Sequence, residues 1–328
     1  MDKKCVVSGM RPTGPLHLGH LVGALQSWVS LQDRYNTYFL IASLHALTTE
    51  YADSSKIRPF TREILMDWLS VGIDPEKSVI FDHAHVPGHY QLHLLLSMTT
   101  PLGWLERVPT YKEQIVQLKS KEIDSYGFLG YPLLQAVDVI LYKASFVPVG
   151  EDQVSHIELC REVARRFNGF YGEIFPEPQA LLTKTPRLPG LDGRKMSKSY
   201  GNAIYLKDDF ADVRQKILPM VTDTRRKRKS DPGVPEDCPA FDYHKAFSTQ
   251  EEMDKIRQGC TTASMGCLEC KKMLLNNLET LLVPIKERRA RWENDPAALE
   301  EILQEGNRRA AKTAEATMNE VFDAMKFR

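Results

Sequence analysis

Two short stretches of the chain have the residue types and spacing to hold a polyphosphate. In Gly14-Pro15-Leu16-His17-Leu18-Gly19-His20, two imidazoles stand three residues apart where a Gly/Pro-rich loop opens into a helix. That spacing sets both rings on one side of the first turn, where each can donate a hydrogen bond to a phosphate oxygen. The unpaired N–H groups of a helix start, and the positive end of its dipole, favour an anion at the same place. Gly19 lets a flat ligand approach the backbone closely. In Asp192-Gly193-Arg194-Lys195-Met196-Ser197-Lys198-Ser199-Tyr200-Gly201-Asn202, two lysines three apart sit among small hydroxyl residues, so one loop offers two mobile ammonium groups. Alone, the histidine pair fits an ordinary cap and a surface residue equally well; the second stretch is what points to a phosphate site.

Two further places put charge where it is costly or useful. Asp138 lies in YPLLQAVDVILYK, residues 131–143, an otherwise apolar helix, and a buried carboxylate is expensive unless it is paired. Tyr131, Gln135 and Asp138, at i, i+4 and i+7, share one face of it. The partner is either a structural ion pair or a ligand that is mostly apolar with one N–H or O–H donor, as the side chains of tryptophan and tyrosine are. In PVGEDQVSH, residues 148–156, Gly150 allows close approach, and Glu151, Asp152 and Gln153 offer acceptors for a ribose or an ammonium group. An ordinary acidic first turn of a helix is the other reading.

The elements that must position these groups follow from hydrophobic periodicity. Residues 5–7, 38–43, 78–81 and 146–148 read as short buried strands, and helices are predicted after the first loop, over 54–71, 91–98, 105–119, 131–143 and 154–168. The alternation predicts an α/β fold, a Rossmann-like parallel sheet covered on both faces, with its ligand site at the carboxyl ends of the strands near the switch point. From about Phe210 onward no strand-like run appears. The expected division is a catalytic domain over 1–200 and an all-helical domain over 201–328, whose last helix, either single or broken near Gly306, can pack back on the first. Lys plus Arg and Asp plus Glu both total 43, so net charge gives no global pull on nucleic acid, and a polyanion must be held by local basic patches. No apolar run reaches bilayer length and the N-terminus lacks a signal peptide's apolar core, so a cytoplasmic protein without a membrane or DNA partner is expected.

Six cysteines are unevenly placed. Cys5 and Cys160 read as small buried hydrophobes. Cys238-x21-Cys260-x6-Cys267-x2-Cys270 reads as a metal site, and four thiolates suit either zinc or a [4Fe–4S] cluster. The spacing lacks zinc's pair of close knuckles, and Cys238 is followed by proline, as one ferredoxin ligand is.

The paired HLGH and KMSKS motifs resemble those of class I aminoacyl-tRNA synthetases. With SGMRPTGPLHLGHLVGAL, YPLLQAVDVILYK, PVGEDQVSHIELCREVARRFN and DGRKMSKSYGN in order, the chain resembles the bacterial tryptophanyl-tRNA synthetases over essentially its whole length. The resemblance implies that tryptophan and ATP, with Mg2+, form tryptophanyl-adenylate, which is then transferred to the terminal adenosine of tRNA(Trp). It implies that His17, His20, Lys195, Lys198 and Lys112 serve the phosphates. Arg11, Pro12, Thr13, Gly19, Gly150, Glu151, Asp152, Leu188, Met196, Ser197 and Ser199 would complete the ATP site. Asp138 would receive the indole N–H, with Tyr131, Gln135, His45, Val149 and Gln153 around it. A subset of the family carries a [4Fe–4S] cluster on a similar cysteine pattern, and Lys271 and Lys272 beside it would offer a basic surface to the tRNA. A homodimer is implied, with 91–98 as one contact. Leu18 stands where isoleucine is usual, and Arg11 where glutamine is common, which puts a permanent cation beside the phosphates or the amino-acid carboxylate. The rivals are a tyrosyl-tRNA synthetase, a small nucleotidyltransferase with an HxGH-like loop, and a non-catalytic paralogue that binds tryptophan or RNA.

Overall fold

The computed structural model describes residues 3–117, 125–182, 188–197 and 200–328. Its centre is a parallel sheet of five strands among the described residues: β1 (Cys5–Met10), β2 (Asn36–Ile41), β3 (Ser78–Asp82), β4 (Phe146–Val149) and β5 (Gln179–Leu182), in spatial order β3-β2-β1-β4-β5. The strands are short runs of Val, Ile, Phe and Leu because both faces are covered; all five residues of β3 are buried. Chain order reverses between β1 and β4, so two successive crossovers leave this pair in opposite directions and open a crevice at their carboxyl ends.

Helices cover the sheet on both sides and complete two cores. One joins Leu16, Leu18 and Trp28 to helix Ile57–Val71 and to the C-terminal helices, through Leu274, Leu278, Leu282 and Ile285. The other packs helices Tyr131–Ile140 and Val154–Tyr171 with Ala310, Ala314, Met318 and Val321 of the last helix. Burial pushes the Cys5 thiol up to about 12 and that of Cys160 higher still, which keeps both protonated and inert.

The structure decides between the two expectations for the last helix and corrects others. The last helix is one uninterrupted element, Pro296–Ala324, and Gly306 is not a break. It is where the helix lies on β3 so closely that a Cβ would stand 1.7 Å from the Ile80 carbonyl oxygen. Gly306→Ala should therefore lower stability by about 3 kcal/mol or more, read from the denaturant midpoint, since neither backbone can yield cheaply. Residues 105–119 are not one helix: Leu102–Glu106 ends before Val108-Pro109, and a second helix, Pro109–Gln117, starts at the proline, which suits a first helical position. Ser43 begins helix Ser43–Glu50, which periodicity passed over because its buried face is largely polar: Ser43, His45 and Thr49 with Ala46. β5 was not expected, being only four residues long and preceded by proline.

Candidate functional site

At the β1/β4 crevice lies a cavity of about 390 Å³. The ends of β1 and β4 supply Ser8 to Arg11 and Val147 to Gly150, helix Tyr131–Ile140 supplies Tyr131, Gln135 and Asp138, and His45, Trp28 and Gln153 close the walls. Eight expected site residues meet here: Arg11, His45, Tyr131, Gln135, Asp138, Val149, Gly150 and Gln153.

Asp138 is a buried member of this lining, 4% exposed. Its Oδ2 accepts from His45 Nε2 at 2.8 Å, and its Oδ1 from His83 Nδ1 at 3.0 Å and His89 Nδ1 at 2.8 Å. The Leu44 N–H donates to His83 Nε2, so the His83 proton sits on Nδ1 and points at the carboxylate. His89 Nε2 lies 2.8 Å from the Tyr142 hydroxyl. Burial raises the carboxyl's pKa, but the His83 ring and the hydrogen bonds from His45 and His83 outweigh it and hold Asp138 well below the usual carboxylate range. Burial likewise pushes His45 down and keeps it neutral despite Asp138. His45, His83 and Asp138 are close enough together to suggest a metal site. The proton fixed on His83 Nδ1 leaves that atom no lone pair for a cation, and the carboxylate is instead surrounded by imidazole nitrogens. A carboxylate has about four acceptor positions; three are filled, and the remaining one is on Oδ2.

Around the mouth, Thr110 Oγ1 ties the Tyr131 hydroxyl, at 2.9 Å, to His156 Nε2, at 2.6 Å. Arg11 lines the same cavity and its Nη2 donates to Thr49 Oγ1 at 2.6 Å. Burial lowers the Arg11 pKa, and Glu50 and Tyr131 oppose that. The cation thus stands on the same cavity wall as the aromatic pocket.

The two motif loops meet beside this cavity. His17 is extended (φ −118°, ψ 171°) and caps the helical run Leu18–Leu31, whose second turn widens to a π-turn over Leu21–Leu25. The His17 N–H donates to His20 Nδ1 at 3.1 Å, which puts the His20 proton on Nε2, and the two rings lie 3.8 Å apart. The chain that follows the lysine loop runs against this one: the Leu18 N–H donates to the Ile204 carbonyl and the Leu206 N–H to the Leu16 carbonyl, both at 2.9 Å. Met196 is buried, and its sulfur is 3.5 Å from where a Gly19 Cβ would stand. The lysine loop is fastened by the buried Asn202, whose amide donates to Asp192 Oδ1 (2.7 Å) and the Lys195 carbonyl (3.1 Å) and accepts from the Ser197 N–H (2.9 Å). The Asn202 amide first, and then the side chain and backbone N–H of Arg194, hold Asp192 down at about 2.

Of the remaining expected residues, Pro12 and Leu188 are buried, Thr13, Glu151 and Lys195 are exposed, and Lys112 is exposed on helix Pro109–Gln117, two residues beyond Thr110. Lys198 and Ser199 lie outside the described residues, as does the side chain of Asp152. The four cysteines Cys238, Cys260, Cys267 and Cys270 line one small cavity with Arg226, Phe241 and Met265. Lys271, expected on a basic surface, is instead buried and donates to the Leu218 and Met220 carbonyls, both at 2.7 Å. Facing inward, it ties the cysteine-bearing helix to the chain before it. Sequence reasoning missed His83, His89, Tyr142, Thr110, His156 and Asn202. The run FDHAHVPGH was the available signal for the first two, but nothing in it names Asp138 as their partner.

A sequence profile of the class I tRNA synthetases (W and Y) matches residues 2–283, and the chain belongs to that family. Within it the similarity is to tryptophan–tRNA ligases along the whole length. The enzyme of Thermotoga maritima is 53% identical over 322 residues, covering 98% of both chains, and that of Aquifex aeolicus is 44% identical, covering 98% of this chain and 99% of the relative. The crystal structure of tryptophanyl-tRNA synthetase from Campylobacter jejuni complexed with ADP and tryptophan superposes with a TM-score of 0.87 at 31% identity, over 98% of this chain and 99% of that one. Among the described residues no helix is long and apolar enough to cross a membrane.

Proposed function

We infer that the chain is a tryptophan–tRNA ligase that activates L-tryptophan with ATP and esterifies tRNA(Trp). The observation that carries this reading is an anionic Asp138, with one acceptor position left, in an apolar-walled cavity beside two phosphate-type loops packed on each other. An indole fits such a wall and donates one N–H. The tryptophan carboxylate attacks the α-phosphorus of ATP in line, and the α–β P–O bond breaks, releasing pyrophosphate. The terminal ribose 2′-hydroxyl of the tRNA then takes the acyl group and AMP leaves. The first step needs positioning and charge neutralisation rather than a protein nucleophile. His17, His20, Lys195, Lys198 and Lys112 are assigned to the phosphates, and Gly150, Glu151 and Asp152 to the ribose. Mg2+ travels with ATP and offsets the charge of its phosphates. Arg11 is assigned to the amino-acid carboxylate, because it shares the cavity with Tyr131. Tryptophan-dependent ATP–pyrophosphate exchange tests the reading, and exchange with tyrosine but not tryptophan would overturn it.

The chain is taken to work as a catalytic part, 1–200, and a helical tRNA-binding part, 201–328, in the cytoplasm. Homodimer formation is supported by the exposed Tyr90, Leu94, Met98 and Leu102 along and just beyond helix Gly88–Ser97, with Leu94 57% and Met98 74% exposed. The four-cysteine site is assigned a [4Fe–4S] cluster, with zinc as the alternative. In support of a metal group, the four cysteines line one cavity with Arg226, whose Nη1 lies 4.0 Å from Cys260 Sγ and 3.9 Å from Cys267 Sγ; Cys270 Sγ lies 3.3 Å from His244 Nε2, and Gly233 leaves room where a Cβ would stand 2.6 Å from Cys260 Sγ. Bound there, the group would cross-link the loop before Cys238 to two helices. Anaerobically purified protein should contain four iron and four acid-labile sulfide per chain, about the stoichiometry of one such cluster; one zinc and no sulfide would select the alternative.

A further inference from the structure

We propose that Arg289 and Asp67 are positioning residues for adenylate formation, through which the cysteine-bearing C-terminal helix fixes the ATP loop. Asp67, on helix Ile57–Val71, is wholly buried, and its Oδ2 accepts from the Leu16 backbone N–H at 3.0 Å. Its Oδ1 accepts from Nη1 of Arg289, itself 1% exposed, on helix Cys267–Asn294. The guanidinium is fully engaged: Nη2 donates to Glu63 Oε2 and Nε to Glu293 Oε1, both at 2.9 Å. Glu63 also receives Lys207 Nζ at 3.4 Å.

Leu16 directly precedes His17, and its two backbone groups point opposite ways: the N–H to Asp67, the carbonyl to the Leu206 N–H at 2.9 Å. A residue held from both sides cannot shift without breaking a buried charge-assisted bond. The same network therefore holds the histidine loop at Leu16 and reaches, through the partly exposed Lys207–Glu63 pair, the chain after the lysine loop. A well-packed hydrophobic pair often replaces a buried ion pair at little cost, but here it would leave the Leu16 N–H without its acceptor. What the ionic pair adds is a directional acceptor for one backbone N–H. The long helix that carries Arg289 begins with Cys267 and Cys270 and runs on through Pro284, so one continuous element joins the cysteine site to Asp67.

The inference rests on the assignment of His17 and His20 to ATP. Removing one member of the pair alone would strand a buried charge, so the test is the double replacement Asp67→Leu with Arg289→Met, which deletes both charges together. Thermal unfolding, tryptophan affinity by fluorescence titration and pyrophosphate exchange are read on the full chain. The expected result is a folded protein with unchanged tryptophan affinity, a raised KM for ATP and a kcat lowered about tenfold or more, the scale of a small misplacement of the reacting groups. Wild-type exchange, or tryptophan affinity falling as far as kcat, would overturn the proposal. Should the double variant not fold, Arg289→Lys and Arg289→Gln decide: lysine keeps a cation on Asp67 and restores ATP usage, whereas glutamine does not, and equal behaviour of the two would overturn it. A chain with both histidines replaced that still adenylates at the normal rate removes the site reading and this inference with it. If that chain is inactive and the double variant is normal, only the inference falls.

Discussion

Replacing His17 and His20 together by alanine is expected to slow adenylate formation about a thousandfold, the scale seen when preorganised donors to developing charge are removed, and to leave tryptophan affinity within about threefold. His20 carries its proton on Nε2 because Nδ1 accepts from the His17 N–H, so the donor direction is set before ATP arrives. His17 sits at the helix start with its ring tilted at 41° to that of His20, and the Leu18 N–H is bonded to the Ile204 carbonyl. Donors fixed in this way do not reorganise as charge moves onto the pyrophosphate, and that is why their loss should appear in kcat more than in binding. The contacts assigned to tryptophan lie in the neighbouring cavity, whose lining does not include either histidine. Single-turnover adenylation against a fluorescence-derived dissociation constant separates the two effects. Equal losses in both would mean that the histidines hold the fold rather than the phosphates.

Asp138→Ala should be the most damaging single change in the amino-acid pocket. It leaves three imidazole donors in a buried site without their common acceptor, and breaking a buried charged network from one side costs about 3–5 kcal/mol. It also deletes the acceptor assigned to the indole N–H, so tryptophan affinity should fall by about a hundredfold at a site built to pair one N–H. The pH dependence has a definite sign. Asp138 is held below its ordinary value of about 3.9, so its contribution is fully present above that pH and is lost as pH falls below it. His45 is held below the ordinary histidine value of about 6.5, so the unfolded chain binds more protons than the folded one beneath that pH, and wild-type stability should decline there first. Denaturant midpoints measured from pH 7 to pH 4 check this: the wild type should lose ground below about 6.5, and the deficit of the Asp138→Ala chain should persist down to about 4. A variant as stable as wild type across that range would show that the histidine contacts contribute nothing.

Much of the architecture was legible because it depends on local pattern. Four of the five strands, the helices that flank them, the strand-loop-helix context of HLGH and the helical C-terminal part follow from short-range periodicity, which the chain displays clearly. The failures are equally physical. Helix Ser43–Glu50 buries polar residues, β5 is four residues long beside a proline, and Gly306 looks like a weak point until β3 is seen lying against it. Lys271 and Lys272 read as a basic patch, yet one of them is buried against two carbonyls.

The sequence by itself determined the chemistry on offer: a pair of histidines and a pair of lysines, each at i, i+3, a carboxylate on an apolar helix face and four cysteines in one segment. Each is a matter of residue type and separation along the chain. Only the tertiary structure decided the partners. Asp138 meets His45, His83 and His89 from three other elements, Gly19 meets Met196, and Arg289 reaches Leu16 through Asp67. Those pairings join residues far apart in the chain, and hydrogen bonds act over a few ångströms of space regardless of sequence distance, so no local pattern could have specified them.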